Sequence, residues 1–399
     1  MKKFNKFLSV AVASAMVMSM AGCGNTDNGS AATGTNAATE SAASGSVFKI
    51  GGIGPTTGGA AVYGLAVQHG AEIAVEEINA AGGINGYQIE FKFQDDEADA
   101  EKSVNAYNAL KDWGAQIIDG STTSGACIAV TDKTKEDNMF QITPSGSAVE
   151  CVQYDNNFRV CFSNPNQGLA SAQYIGENGL AEKIAVIYDS SDVYSSGIYE
   201  KFVKEAENQP FEVVAAEAFT ADNKTDFSVQ LQKAKDAGAD MVFLPIYYQE
   251  SALILTQAAA MGYAPKWFSC DGMDGILGGV DNFDVSLTEG VMLLTPFAAD
   301  ATDDLTQSFV TKYKEKYGDT PNQFAADSYD AIYVIKAAIE KSGVTPDMSV
   351  SDICDGMKAA MTEITVDGLT GNGMTWTADG EANKAPKAVV IENGAYKAM

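Results

Sequence analysis

The sequence predicts an α/β protein built as two doubly wound parallel-sheet lobes joined by a multi-strand hinge. After residue 46, short apolar runs alternate with amphipathic helical segments, the pattern of βαβ crossovers that cover both faces of a parallel sheet. These runs are too many for one modest sheet. Two stretches, "SNPNQG" near residue 165 and "LTPFAAD" near 296, break the rhythm where the chain would cross between lobes. The boundaries that follow place 47–163 and 297–371 in the first lobe, and 164–296 and 372–399 in the second.

In chain order, the first 22 residues read as an export leader. Lys2, Lys3 and Lys6 precede an apolar run interrupted by Ser9, Ser14 and Ser19, too short to span a bilayer. Met20-Ala21-Gly22-Cys23 is similar to a lipobox, which makes Cys23 the expected acylated terminus and the membrane anchor. Residues 23–46, mostly Gly, Ala, Ser, Thr and Asn, cannot bury enough apolar surface to order themselves and read as a flexible tether. "VFKIGGIG" then reads as a strand and 63–81 as a helix with Ala66, Ala71, Ile73, Ala74 and Ile78 on its apolar side, closed by "AGGING". Further strands are expected at "YQIEFKFQ", "AQIIDG", "MFQITP", "EKIAVIYDS", "FEVVAAEAF", "ADMVFLPIY", "KWFSCDG" and "TEGVMLLTPF". Helical segments fill 303–363, and "KAVVIENG" supplies a terminal strand.

Composition narrows the function. The net charge is −27, and loss of the leader's three lysines takes it near −30, which repels nucleic acid and anionic lipid. His69 is the only histidine and lies mid-helix, so it serves neither a Ser–His–Asp triad nor a zinc cluster. No GxxxxGK[ST] loop occurs, and "GGIGPTTGG" puts Thr57 where a dinucleotide fingerprint needs its third glycine. No cofactor, metal or catalytic residue is expected, and the chain does not read as an enzyme. Of six cysteines, Cys151 and Cys161 are close enough in sequence to pair in an exported chain, and Cys127, Cys270 and Cys354 read as apolar fillers.

What remains is binding. A parallel sheet gathers ligands beyond the carboxyl ends of its strands. At those ends stand Ser124 and Ser147, each where a helix should begin, Asp271 in "SCDGMDG", and Tyr63, Tyr194 and Tyr247. A free amino acid needs hydroxyl and N–H donors for its carboxylate, an acid for its ammonium and an apolar or aromatic wall. Singly, each residue has a plainer explanation: Ser124 as a helix cap, Ser147 in the capping box Ser147-Ala148-Val149-Glu150, Asp271 as a turn residue before Gly272.

From Val47 to about Trp376 the chain resembles the branched-chain amino-acid (Leu/Ile/Val) binding proteins of ABC importers, solute-binding proteins with the type I periplasmic binding fold. The stretches that carry the resemblance are "KIGGIGPTTGGAAVYG", "GAEIAVEEINAAGGINGYQIEFKFQDDEAD", "MFQITPSGSA", "FRVCFSNPNQG", "KIAVIYDSSDVYSSG" and "GMTWTADG". It implies an extracytoplasmic, lipid-anchored, monomeric clamp that hands an amino acid to membrane permease subunits driven by a cytoplasmic ATPase. It places carboxylate-binding hydroxyls on Ser124 and Ser147, a backbone contact on Ser145, and the ammonium-binding acid on Asp271. Aromatic positions fall on Tyr63, Tyr194, Tyr247 and Phe324, and Thr122 and Thr123 line the side-chain pocket. The sequence departs from the family where Ser147 replaces a common threonine, Asp271 a longer glutamate, and Tyr194-Ser195-Ser196-Gly197 a Tyr-Gly-x-Gly turn. Those departures leave open a short amide, urea or aromatic acid as ligand, or a sensory role.

Overall fold

A computed structural model describes residues 45–384 and 386–399. The leader, Cys23 and nearly all of the tether lie outside the described residues. The first sheet takes β1 (Val47–Gly54), β2 (Gln88–Asp95), β3 (Ile117–Gly120), β4 (Phe140–Thr143) and β5 (Asn157–Arg159), all parallel in the order β2-β1-β3-β4-β5. Every residue of β3 and β4 is buried, so neither alternates apolar with exposed polar residues, and the polar Asp119, Gln141 and Thr143 are buried with the rest. Helices α1 (Ala61–Ala80), α2 (Ala100–Trp113) and α3 (Ser124–Asp137) form the crossovers. Asp99 caps α2 through the Lys102 N–H at 2.9 Å, and left-handed Gly114 ends it.

The second lobe opens with α4 (Asn164–Glu177) and continues through β6 (Lys183–Asp189), α5 (Val193–Ala206), β7 (Glu212–Phe219), α6 (Ser228–Asp236), β8 (Met241–Leu244), α7 (Tyr248–Ala260), β9 (Lys266–Ser269) and β10 (Met292–Thr295). The chain then returns to the first sheet as α8 (Asp304–Tyr317), α9 (Gln323–Ser342) and α10 (Val350–Met361), and ends as β11 (Lys387–Glu392) and β12 (Ala395–Ala398). The second sheet runs β12-β11-β10-β9-β8-β6-β7, parallel except for its last two strands. The chain therefore passes between sheets three times: after β5, after β10 and before β11.

α9 packs along α1, and they touch where a Cβ on Gly70 would stand 2.0 Å from the Ala325 carbonyl oxygen. Only glycine permits that approach. α9 is buried over most of its surface, so its apolar and polar residues alike face protein.

Two expectations are corrected, and the terminal strand is found with a partner. Cys151 and Cys161 are free, buried thiols. Cys151 packs with Cys127 and Ala148 and its thiol meets the Ser124 carbonyl at 3.7 Å, whereas Cys161 lies beyond β5. Residues 372–384, grouped above with the second lobe, hydrogen-bond to the first: Gly380 accepts from the Arg159 N–H at 3.0 Å and Trp376 donates to the Arg159 carbonyl at 2.8 Å. The chain reaches the second sheet only at Lys387. The expected last strand is half of a hairpin, turned at Asn393-Gly394, both at positive φ, a dipeptide that favours this turn.

Candidate ligand-binding site

The site grows out of two loops of the first sheet. At the β3–α3 turn, Thr122 Oγ1 donates to the Ile53 carbonyl at 3.3 Å, and a Cβ on Gly54 would collide with that hydroxyl at 2.1 Å. Ser145, after β4, donates to the Thr122 carbonyl at 2.7 Å, and Ser124 Oγ accepts from the Ser147 and Ala148 N–H groups at 3.2 and 3.1 Å. The crowded hydroxyls thus stitch one loop to the next, and neither Ser124 nor Ser147 caps a helix: α3 has Thr123 in that position with no side-chain cap bond, and the short 3₁₀ turn Val149–Val152 has Ala148. Behind the second loop the fully buried Arg159 guanidinium donates to the Gly146 carbonyl at 3.2 Å and the Ala148 carbonyl at 2.9 Å, fixing the loop from below.

The second lobe contributes Asp271, just past β9. Tyr194 donates its hydroxyl to Oδ1 at 2.6 Å, and Gln167 donates to Oδ2 at 2.8 Å. The same Tyr194 oxygen accepts from the Gly272 N–H at 2.8 Å. Burial pushes the Asp271 carboxyl up to about 7, Asp327 adds to the rise, and the bonds from Tyr194 and Gln167 only partly offset it. A carboxylate so placed gains from any cation brought to it.

The lobes meet through Tyr63, whose hydroxyl donates to the Gly272 carbonyl and accepts from the Tyr248 N–H at 3.1 Å. Its ring lies 4.4 Å from Phe324 and 5.5 Å from Tyr247, and Tyr247 stacks on Tyr194 at 5.0 Å. Tyr63, Thr122, Thr123, Ser124, Ser145, Tyr194, Tyr247, Asp271, Gly272 and Phe324 enclose a cavity of about 10 Å³, roughly one water's worth. Nine of the ten residues singled out from the sequence stand together on its wall. Ser147 does not: it is fully buried beside the wall, its hydroxyl without a partner among the described residues. Gln167, Gly272 and Arg159 went unsingled. Gln167 sits in the very "SNPNQG" read as a crossing, and a glutamine opening a helix at that point was the available signal.

Residues 47–395 match the periplasmic binding protein family. The chain belongs to that family. The Leu/Ile/Val-binding protein homolog 3 of Brucella melitensis is 30% identical over 300 residues, covering 75% of this chain and 80% of that protein. The leucine-, isoleucine-, valine-, threonine- and alanine-binding protein of Pseudomonas aeruginosa is 30% identical over 303 residues, 74% of this chain and 79% of its own length. Among solved structures, the branched-chain amino acid transporter substrate-binding protein LivJ of Streptococcus pneumoniae, in complex with isoleucine, superposes with a TM-score of 0.79 at 28% identity, over 88% of this chain and 99% of its own. A type I architecture and a solute-binding role in an importer follow for this binding protein.

Proposed function

We propose that the binding protein captures a free amino acid, branched-chain or related, in the cavity between its lobes and delivers it to an ABC permease, without chemistry on the ligand. One observation carries the reading: a buried carboxylate from the second lobe faces hydroxyl-bearing helix starts of the first across a water-sized, aromatic-walled cavity. Asp271 takes the ammonium. The Thr122–Ser124 and Ser145–Ser147 loops take the carboxylate, at the positive end of α3. Thr122 and Thr123 with the four aromatic rings enclose the first atoms of the side chain. The leucine, isoleucine and valine named for its relatives support this class of ligand.

The cavity as closed here is too small for any amino acid, so entry parts the lobes, and they close again around the ligand with the cavity widened. A ligand favours the closed state only through contacts it makes there and not in the open one. Asp271 and the hydroxyl loops, on opposite lobes, supply such contacts. In this reading lobe 1 comprises 47–163 and 297–384, and lobe 2 comprises 164–296 and the chain from Lys387 on. The body is a monomer held outside the cytoplasmic membrane by acylated Cys23 and its tether. A thermal-shift screen with amino acids, short amides, urea and aromatic acids tests it, because a ligand specific to the folded state raises Tm. Zwitterionic amino acids should raise Tm, and a response confined to ligands without an ammonium would refute the reading.

A further inference from the structure

The cavity around Asp271 neighbours a larger one of about 370 Å³, and Thr123 and Tyr247 line both. This outer chamber lies at the carboxyl ends of β1, β2 and β3 on one side and of β6, β7 and β8 on the other. Its wall is acidic. Glu97, Asp189, Asp192 and Glu250 face it, against a single cation, Lys224. Lys224 is committed to Glu250 at 3.0 Å, and Glu97 to Lys102 at 2.6 Å. Asp189 and Asp192 have no ion-pair partner among the described residues. Asp189 Oδ1 accepts from the Ser191 N–H at 2.8 Å and from its hydroxyl at 2.6 Å, and Asp192 Oδ1 caps α5 through the Tyr194 N–H at 3.1 Å. Burial first, then the negative charge of Asp189, pushes the Asp192 carboxyl up to about 6, with the Tyr194 N–H opposing. The charge of Asp189 and Asp192 is left without an ion-pair counter-charge among the described residues, in a wall partly withdrawn from water.

A second observation is independent of the acids. Thr123 is 6% exposed, its Oγ1 has no hydrogen-bond partner among the described residues, and it is shared by the walls of the two cavities. A buried hydroxyl without a partner carries a desolvation cost that a ligand group beside it removes. The inner end gives no room for a long side chain, because the rings of Tyr63, Phe324, Tyr194 and Tyr247 pack against one another there. A longer side chain must leave past Thr123 into the chamber.

We propose that the outer chamber is the side-chain subsite of this clamp, and that it takes an amino acid whose side chain ends in a cation, with Asp189 and Asp192 facing the terminal group and Thr123 beside the stem. This rests on the reading above, in which the inner cavity holds the ammonium and carboxylate of the ligand. Negative walls on both lobes then close around the positive end, and the same carboxylates steer the ligand in at low salt.

The test is isothermal calorimetry on protein unfolded and refolded to remove carried-over ligand, titrated with L-lysine, L-ornithine, L-arginine and norleucine, the last lacking lysine's terminal ammonium. Lysine or one of the other two cationic amino acids should bind at least about tenfold tighter than norleucine at low salt. The Asp189→Asn/Asp192→Asn pair should bring that ratio to within about threefold, and asparagine still caps α5. Lys224→Gln, which frees Glu250, should raise the ratio and serves if the double variant does not fold. Norleucine or leucine binding as tightly as every cationic amino acid would overturn the subsite while leaving the amino-acid reading intact. Folded protein that binds none of them would overturn both.

Discussion

Replacing Asp271 with asparagine should move binding and stability in opposite directions. The carboxyl is 6% exposed and its pKa stands near 7 in place of 3.8, chiefly from burial. A rise of three units means that ionising it inside the closed body costs on the order of 4 kcal/mol. Without ligand, nothing cationic offsets that cost, so at pH 8 the Asp271→Asn protein should be more stable than the parent by a few kcal/mol in urea melts. Asparagine can still accept from Tyr194, and the Gln167 amide can turn to receive its N–H, so the local bonds survive. With ligand the balance reverses. The ammonium meets a neutral amide instead of a desolvated carboxylate, and loss of such a buried pair costs about 2–5 kcal/mol, roughly 30- to 5,000-fold in Kd. Calorimetry at pH 8 on both proteins, with whichever amino acid gives the largest thermal shift, reads the loss directly. Affinities within about threefold of each other would refute the role of Asp271, whatever the melts show.

Other consequences follow from the same geometry. Burial raises Asp119 and Asp271 to about 7 and Asp96, Asp192, Asp274 and Asp327 to about 6, so the folded state holds protons that the unfolded chain has released. Their stabilisation is complete below about pH 4 and is lost as pH rises through 6 to 7; ligand-free protein should melt higher at pH 5 than at pH 8, and equal or reversed Tm values would contradict it. Tyr63→Phe removes the hydroxyl that ties Gly272 to Tyr248, so affinity should fall by about 1–2 kcal/mol and small-angle scattering should show a more open ligand-free body; unchanged values would separate Tyr63 from closure. Arg159→Met leaves the Gly146 and Ala148 carbonyls without their buried donor and Glu381 without its ion-pair partner at 3.3 Å, and should cost about 3–5 kcal/mol in urea melts, where a loss below 1 kcal/mol would refute its bracing role.

The alternating strands and helices were plain in the sequence because β3, β4, β8 and β10 are buried on every residue, and β8 and most of β10 read as continuous apolar runs. β5 was not, since "NFR" buries an asparagine bonded to Thr134 and Gln141 and an arginine that holds the neighbouring loop. β12 was hidden for another reason: as an exposed edge it carries little apolar signal, and only Asn393-Gly394 announced it. The site was half legible. Placing hydroxyls, Asp271 and tyrosines at strand ends needed only the rule that parallel sheets bind beyond their carboxyl ends. Which serine faces the cavity was not readable, because Ser124 and Ser147 differ only in how the Ser145–Ala148 loop folds over Arg159. Gln167 and Gly272 act on Asp271 from 104 and one residues away in sequence, and the longer of those relations exists only once the lobes are folded.

The pairing of an acid from one lobe with hydroxyl loops from the other is tested most directly by a crystal structure of the protein with a bound amino acid. The ammonium should lie within hydrogen-bonding distance of Asp271, about 2.6–3.2 Å, with the carboxylate on the Thr122–Ser124 and Ser145–Ser147 loops. An amino acid held by one lobe alone, or seated away from Asp271, would contradict the account.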